Sequence, residues 1–489
     1  MGTISSAFSI ITGALNADQS GLSIVAGNVA NANTPGYTRE TPNWEENSPV
    51  TINGLTYGTG VTETGATSIR DRVLEQRLDQ QQQLASASTT RLAALNGLQA
   101  VFTPDSGSSG STAGDIGSDV TGFFNSFASL EDNPSNNALR QQVLSTATTL
   151  AGDISNVASS VNQQKAALDQ EAAGVATQVN ALTASIAQLN LQIQSSSPNA
   201  GAGPLEDQRQ QDLSQLSQLI GINQVTTENN GLTITTTFGQ TLVAEGTSTA
   251  LDTGLVNGVT DFFIGGADVT KALASGGGSL GGYLTARDKD IPSVMGALDQ
   301  LAFGISTEVN AQNAKGVDLS GNPGAAIFSQ PAQMAGSAEQ MSVAMTDPGK
   351  IAAAAAGQGT GDNSNATALA GLASSSDPPI LNGLVLPGGV VLAAGQTLLS
   401  GLTPSNYYSG FVTTLGSTVS QVQTENTAQN ASVSQLQTQN NTLSQVNLND
   451  EASAMTTLER SYQAASQVFS MLNTILAAAL NLGEQSTVA

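Results

Sequence analysis

The sequence predicts a mainly α protein with a β module. Its expected architecture is an elongated multi-domain rod with paired, coiled-coil-like helices at the two termini, a long central helical bundle and a small antiparallel β excursion. Aromatic residues make up only 4 % of the 489 residues, against 51 glycines, which suits long helices packed through small side chains better than an aromatic-rich globule. Apolar residues recur at steps of three and four near both ends, close to the 3.5-residue seam of a coiled coil. A single stretch, NQVTTENNGLTITTTFGQTLVAEG (223–246), instead alternates Thr, Val, Ile and Phe with polar residues around NNG and FGQ turns, the pattern of a β meander.

The elements follow in order. Ile4, Phe8, Ile11, Leu15, Leu22, Val25 and Val29 form one stripe of an N-terminal helix, and only Asp18 interrupts it. The helix stops on NVANANTPGYTRE (28–40). Here Asn28, Asn31 and Asn33 favour turns, the Thr34-Pro35 bond disfavours helix, and Gly36 frees the backbone. Tyr37 and Arg39 follow as candidates to pin this corner by packing and hydrogen bonding. A looser helical stripe spans 69–102. After SLEDNPSNN, thirteen apolar positions from Leu139 to Ile193 keep one face; an unbroken helix over them would be about 80 Å long. Ser135 or Asn136 is positioned to cap it, and SSSPNAGAGP ends it. The β module continues through DFFIGGADV, and a helix resumes near Ile291 to Ala314. Residues 378–402 are apolar but cut by Pro and Gly, and read as short strands or a packed loop. Helix returns from Pro404 and leads into a C-terminal stripe: Leu448, Ala452, Met455, Leu458, Tyr462, Ala465, Phe469, Leu472, Leu476 and Ala479. Stripes on terminal helices need a partner; each packs on its own domain, or the two pair with each other and with neighbouring copies.

Composition excludes several functions. Fourteen Lys and Arg stand against 38 Asp and Glu, a formal charge of −24, and no cation cluster offers the footprint of a nucleic-acid or anionic-membrane binder. Cysteine and histidine are absent, which removes thiol nucleophiles, disulfides, Cys/His zinc sites and His-based triads. No apolar run reaches the roughly 18 residues of a membrane span, and MGTISSAFSIITGALNADQ lacks the basic start and long apolar block of a cleaved signal peptide. GGGSLGG (276–282) contains G-x-G-x-x-G without a βαβ context, so it reads as a turn and not a cofactor loop. Glu206, Asp207, Asp288 and Asp290 lie among Gln and Arg in helices, where solvated faces or i,i+4 pairs are the ordinary reading. DNPSNN and TGDNSN do not fit the spacing of a calcium loop. The expected catalytic, cofactor and metal sites are therefore none.

ALNADQSGLSIVAGNVANANTPGYTRE resembles the N-terminal signature of the bacterial flagellar rod, hook and hook-associated proteins, and VNLNDEASAMTTLERSYQAASQVFSMLNTILAAALNLG resembles their C-terminal signature. Blocks spread over most of the chain resemble the hook-associated protein 1 family within that superfamily. They include GVTETGATSIRDRVLEQRL, FFNSFASLEDNPSNNALRQQVLSTATTLA, LEDQRQQDLSQLSQLIGI, GGSLGGYLTARD, VNAQNAKGVDLSGNPGAAIF and VAMTDPGKIAAA. The resemblance implies a non-enzymatic structural subunit of the hook–filament junction, secreted through the flagellar type III system. Its implied partners are copies of itself in a ring, the hook protein, hook-associated protein 3 and an export chaperone on the C-terminal helix. It also implies four regions: 1–50 with 445–489 as an axial core; 51–221, 283–330 and 403–444 as a long-helix rod; 222–282 as the β module; and 331–402 as a short connecting segment. Family members often carry histidine where this chain has Asn313, and larger members insert an outer domain where this chain has only SQPAQMAGSAEQ. Alternatives left open are another axial protein, such as the hook protein or the second junction protein, and more remotely a surface carboxylate-dependent glycan hydrolase.

Overall fold

A computed structural model describes residues 2–52, 54–103, 115–196, 202–227, 230–387, 389, 391–393 and 395–485. The chain runs α1 (Gly2–Asn31), β1 (Glu40–Glu46), β2 (Val50–Ile52), β3 (Leu55–Tyr57), β4 (Val61–Ser68), α2 (Arg72–Val101), α3 (Ile116–Asp132), α4 (Asn137–Ser195) and α5 (Gly203–Leu219). Strands β5 (Ile222–Thr226), β6 (Leu232–Thr236), β7 (Thr241–Ala244), β8 (Thr247–Ser248), β9 (Leu251–Val256), β10 (Val259–Ile264) and β11 (Ala267–Asp268) follow. Then come α6 (Thr270–Gly276), α7 (Gly278–Thr285), a π turn (Ala286–Asp290), α8 (Ile291–Lys315), β12 (Gly316–Val317), β13 (Ala354–Ala355), α9 (Ser364–Gly371), α10 (Pro404–Ser444) and α11 (Leu448–Gln485). This is a mainly helical protein with small antiparallel sheets.

Helix α4 covers 59 residues, about 90 Å at 1.5 Å per residue. Asn136 caps its start by accepting from the Ala138 N–H at 2.8 Å, so the cap is Asn136 and not Ser135. GGGSLGG is the α6–α7 turn, with Gly277 and Gly278 at φ of 97° and 71°, backbone that L side chains avoid. Residues 378–402 hold one short 3₁₀ turn and an isolated Val385–Val391 bridge. The ribbon β1–β4 was not expected from the sequence. It pairs Glu40 with Ser68 through Glu46 with Val61, with a bulge at Asn43/Trp44.

Two compact units divide the chain. The first comprises Met1–Ala87, Gly174–Gly281 and Ala428–Ala489. In it α1 pairs with α11, the β1/β4 ribbon lies on α1, and two sheets form with strand orders β5-β6-β7-β8 and β11-β10-β9. Leu232, Ile234 and Thr236 of β6 and Thr260, Phe262 and Ile264 of β10 are buried at alternate positions, the one-sided pattern of an antiparallel sheet over a core. Asn190 of α4 donates to the Leu232 and Glu245 carbonyls, each at 2.8 Å, and so fastens the sheet to the helix.

The second unit comprises Ser88–Ala173 and Gly282–Thr427. Its core is continuous. Phe123 packs tilted against Phe124 and edge-on against Phe127 and Phe328, with centroids 5.2–5.3 Å apart, and Val143, Leu150, Ile154, Val161, Ile305 and Val309 are fully buried around it. Polar side chains that enter this core are satisfied. Buried Arg140 donates to the Pro134 carbonyl at 2.7 Å and to the Ile351 carbonyl. Asn313, at the position where the resemblance suggests histidine, donates to the Ala325 carbonyl at 2.6 Å and accepts from the Ala352 N–H at 3.0 Å. Its role here is a buried cross-link.

Candidate functional site: the terminal seam and its corner

Helix α1 contains a single charged residue, Asp18, so almost any face of it is apolar enough to bury. The β1/β4 ribbon takes one side and α11 takes another. The two terminal helices run antiparallel. Phe8 meets Phe469 edge-on with centroids 5.4 Å apart. Midway, Gly21 leaves room for Leu458 and the only tryptophan, Trp44, both of which a Cβ there would meet at 3.1–3.3 Å. At the far end, Asn28 bonds Glu451.

The burial of the stripes is partial. Val25 is buried, whereas Ile4, Phe8, Ile11, Leu15 and Leu22 are half-buried. On α11, Met455, Leu458, Phe469, Leu472 and Leu476 are half-buried. Val29, Leu448 and Tyr462 remain exposed, at 40 %, 53 % and 39 %. Val468, Met471 and Ile475 form a second, exposed line on α11 at helical spacing. Asp18 is buried, and its Oδ2 has no hydrogen-bond partner.

The corner is built around Asn28, which is fully buried. Its Nδ2 donates to the Glu40 carbonyl at 2.8 Å and to Glu451 Oε2 at 3.0 Å. Its Oδ1 accepts from the Tyr37 hydroxyl at 2.8 Å and the Glu40 N–H at 3.0 Å. One amide side chain thus joins the end of α1, the corner, β1 and α11. Arg39 adds a second clamp: Nε lies 2.6 Å from Glu451 Oε1, its N–H donates to the Ser444 carbonyl at 2.9 Å, and its carbonyl accepts from Ile69 at 2.8 Å. Asn31 donates to the Gly27 carbonyl and accepts from Thr34 Oγ1, and the Tyr37 N–H closes the turn over Pro35 by donating to the Thr34 carbonyl at 3.2 Å. Gly36 sits at φ 80°, and Gln211 donates to the Pro35 carbonyl at 3.1 Å. Asn33 is exposed to solvent.

Electrostatics follow from this crowding. Burial pushes the Tyr37 hydroxyl up to about 12, with the carboxylates of Glu40, Asp207 and Glu451 adding to it, so it remains a donor to Asn28. Burial, then Asp207, raises Glu40, and Arg70 opposes them. A polar cavity of about 430 Å³ lies behind the corner, walled by the 31–38 segment, Glu75, Asp79, Asp207 and Asn440. Burial pushes Glu75 up to about 7 and Asp79 up to about 6, the latter opposed by hydrogen bonds from Gln224 and Gln210.

Sequence reasoning missed Glu451, Ser444 and Asp207 as corner residues. Glu451 reads as an acidic residue favourable to a helix N-terminus; its burial is decided by Asn28 and Arg39 from the other end of the chain. The solvated reading holds for Asp288, which is exposed, and is corrected for the other three acids. Asp207 lies 2.5 Å from Arg70 and accepts from the Thr38 N–H at 3.0 Å, Glu206 is buried between Arg70 and Arg72, Asp290 grips Arg91 at 2.8 and 2.9 Å, and Asp288 pairs with Arg287. Arginines neutralise them, from distant segments for Glu206, Asp207 and Asp290 and from the adjacent position for Asp288, which leaves structural ion pairs rather than an acid/base constellation. Among the described residues no group of three or more Asp, Glu, His or Cys is placed to hold a metal, and no helix is long and apolar enough to cross a membrane.

Comparison with known proteins agrees with this architecture. A family model described as the flagellar hook-associated protein FlgK helical domain matches residues 105–328, and one described as flagella basal body rod protein matches 10–38. The second match covers much of α1 and most of the corner. The chain is 29 % identical over 326 residues to flagellar hook-associated protein 1 of Salmonella typhimurium, an alignment spanning 64 % of this chain and 58 % of that relative. It is 26 % identical to flagellar hook-associated protein 1 of Bacillus subtilis over 96 % of both chains. The fold is similar to that of the flagellar hook junction protein FlgK from Burkholderia pseudomallei, with a TM-score of 0.61, 19 % identity, and coverage of 74 % of this chain and 99 % of that one. Helical termini, an N-terminal rod-type segment and a FlgK-type helical domain define the class, a flagellar axial protein. Within that class the chain is similar to flagellar hook-associated protein 1.

Proposed function

We propose that this chain is a structural subunit of the bacterial flagellum that forms the junction between hook and filament, assembling through its terminal helices after export by the flagellar type III system. The observation that carries the reading is the seam. Inside one chain, α1 and α11 bury each other only halfway, and α11 still exposes Val468, Met471 and Ile475. An axial position completes that burial with neighbouring copies, and at about 25 cal/mol per Å² of apolar surface the gain offsets the ordering of helices that are marginal alone. On this reading the chain acts as a structural subunit and not as an enzyme, in keeping with relatives named flagellar hook-associated protein 1. Its partners on this reading are copies of itself in a ring, the hook protein below, hook-associated protein 3 above, and an export chaperone that holds the C-terminal helix beforehand.

Deletion of the gene tests the assignment. The account expects complete hooks, with flagellin shed into the medium unattached. Cells lacking hooks altogether would instead place the chain in the rod or hook.

A further inference from the structure

The sheet β11-β10-β9 ends on β9, whose outer side carries no strand. Its hairpin fixes which backbone groups face outward. Asn257 and Gly258 form a two-residue turn at φ of 52° and 79°, and Val256 pairs with Val259 across it. In such a turn the flanking pair is hydrogen-bonded, so the ladder to β10 uses Val256, Gly254 and Asp252, while Leu251, Thr253 and Leu255 present their N–H and C=O groups outward. Asn180 of α4 verifies the parity. Its side chain accepts from the Leu251 N–H at 2.7 Å and donates to the Leu251 carbonyl at 3.0 Å, occupying the first outward rung as a strand would. Among the described residues nothing bonds the next two rungs, Thr253 and Leu255.

The side chains agree with an open edge. Leu251, Thr253 and Leu255 lie on the same face of the strand, yet only Leu251 is buried and Leu255 is 77 % exposed. Most edge strands are shielded by charge, proline or a covering loop; here one amide covers one rung and stops. The local charge narrows the occupant. From Ile222 to Gly281 the chain has Glu228, Glu245, Asp252, Asp261 and Asp268 against Lys271 alone, and exposed Asp252 stands on the edge itself. A strand from a second copy of this −24 chain brings like charge.

We propose that the β9 edge docks an extended, basic segment of another protein, which adds a strand on the Thr253 and Leu255 rungs and seats an apolar side chain beside Leu255 and a Lys or Arg beside Asp252. Backbone pairing of this kind supplies affinity, and side chains at alternate positions supply selectivity.

The test uses the full chain and the synthetic peptide Ac-Lys-Thr-Val-Thr-Val-Thr-Lys-NH₂, read by amide hydrogen exchange. Saturating peptide is expected to slow exchange at Thr253 and Leu255 by about tenfold or more, and a Glu-flanked analogue to act only weakly. Leu255→Pro removes one outward N–H and leaves the β9–β10 ladder intact, so it should abolish the effect while Gly254 stays protected. An N-methylated peptide gives the same control without altering the protein. Three results would each overturn the proposal: no saturable protection at these amides, equal protection by the N-methylated peptide, or protection that appears on raising the protein concentration alone.

Discussion

The second unit and the terminal seam solve the same problem to different degrees. Around Phe123 the chain buries whole aromatic and aliphatic side chains from α3, α4 and α8 and pairs the polar groups that come with them, Arg140 and Asn313 among them. The α1–α11 seam has apolar residues of the same kinds but only one layer to put them in. Phe8 and Phe469 touch each other and still face water on one side. The first arrangement is a finished core, whereas the second is half of one, as the proposed assembly through the ends would require.

The largest expected effects separate the two regions. Phe123→Ala removes a fully buried ring and should cost about 3–5 kcal/mol, seen as faster exchange throughout α3 and the first half of α4. Phe469→Ala, at a half-exposed ring, should cost about 1 kcal/mol or less in the free subunit yet block assembly. If the two substitutions cost the free subunit equally, the contrast fails.

The corner should behave as the firm end of a soft seam. Glu451→Ala leaves Asn28 and Arg39 without their shared carboxylate. Because Arg39 is partly exposed, the loss should be about 1–3 kcal/mol, read by the fluorescence of Trp44, which sits over Gly21 within the same unit.

How much of this was legible varies with the physics behind each element. The α1, α4 and α11 helices were plain because helical periodicity is a local signal; how far each stripe is buried was not. The β1–β4 ribbon was hidden: ETPNWEE alternates weakly, and none of the residues in its two strands is buried. Glu451 and Asp207 were hidden for another reason. A carboxylate shows nothing in sequence about which distant arginine or asparagine will reach it, so their burial is a property of the fold.

Acidity offers a smaller probe. Burial pushes Glu75 up to about 7 from its ordinary 4.5, so the folded state favours the protonated form. The contribution is fully present below about pH 4.5 and is lost as pH rises through 7. Glu75→Gln should erase that slope and leave the variant more stable than the parent by about 1–3 kcal/mol above about pH 8, in urea titrations followed at Trp44. A parallel slope in both proteins would count against the burial of Glu75 behind the corner.

Asp18 should give the smallest shift. Its buried, unpartnered Oδ2 weakens the seam from within, so Asp18→Ala is expected to strengthen α1–α11 pairing in the free subunit by about 1 kcal/mol. A loss of stability would show that the carboxylate has a partner in solution.

Hydrogen exchange on the free, full-length subunit tests the central claim most directly. The account predicts slow exchange for amides in α3 and the first half of α4, and much faster exchange along 4–29 and 448–476, with protection of those two stretches appearing on incorporation at the hook tip. Protection of both stretches in the free subunit equal to that of the Phe123 core would contradict it.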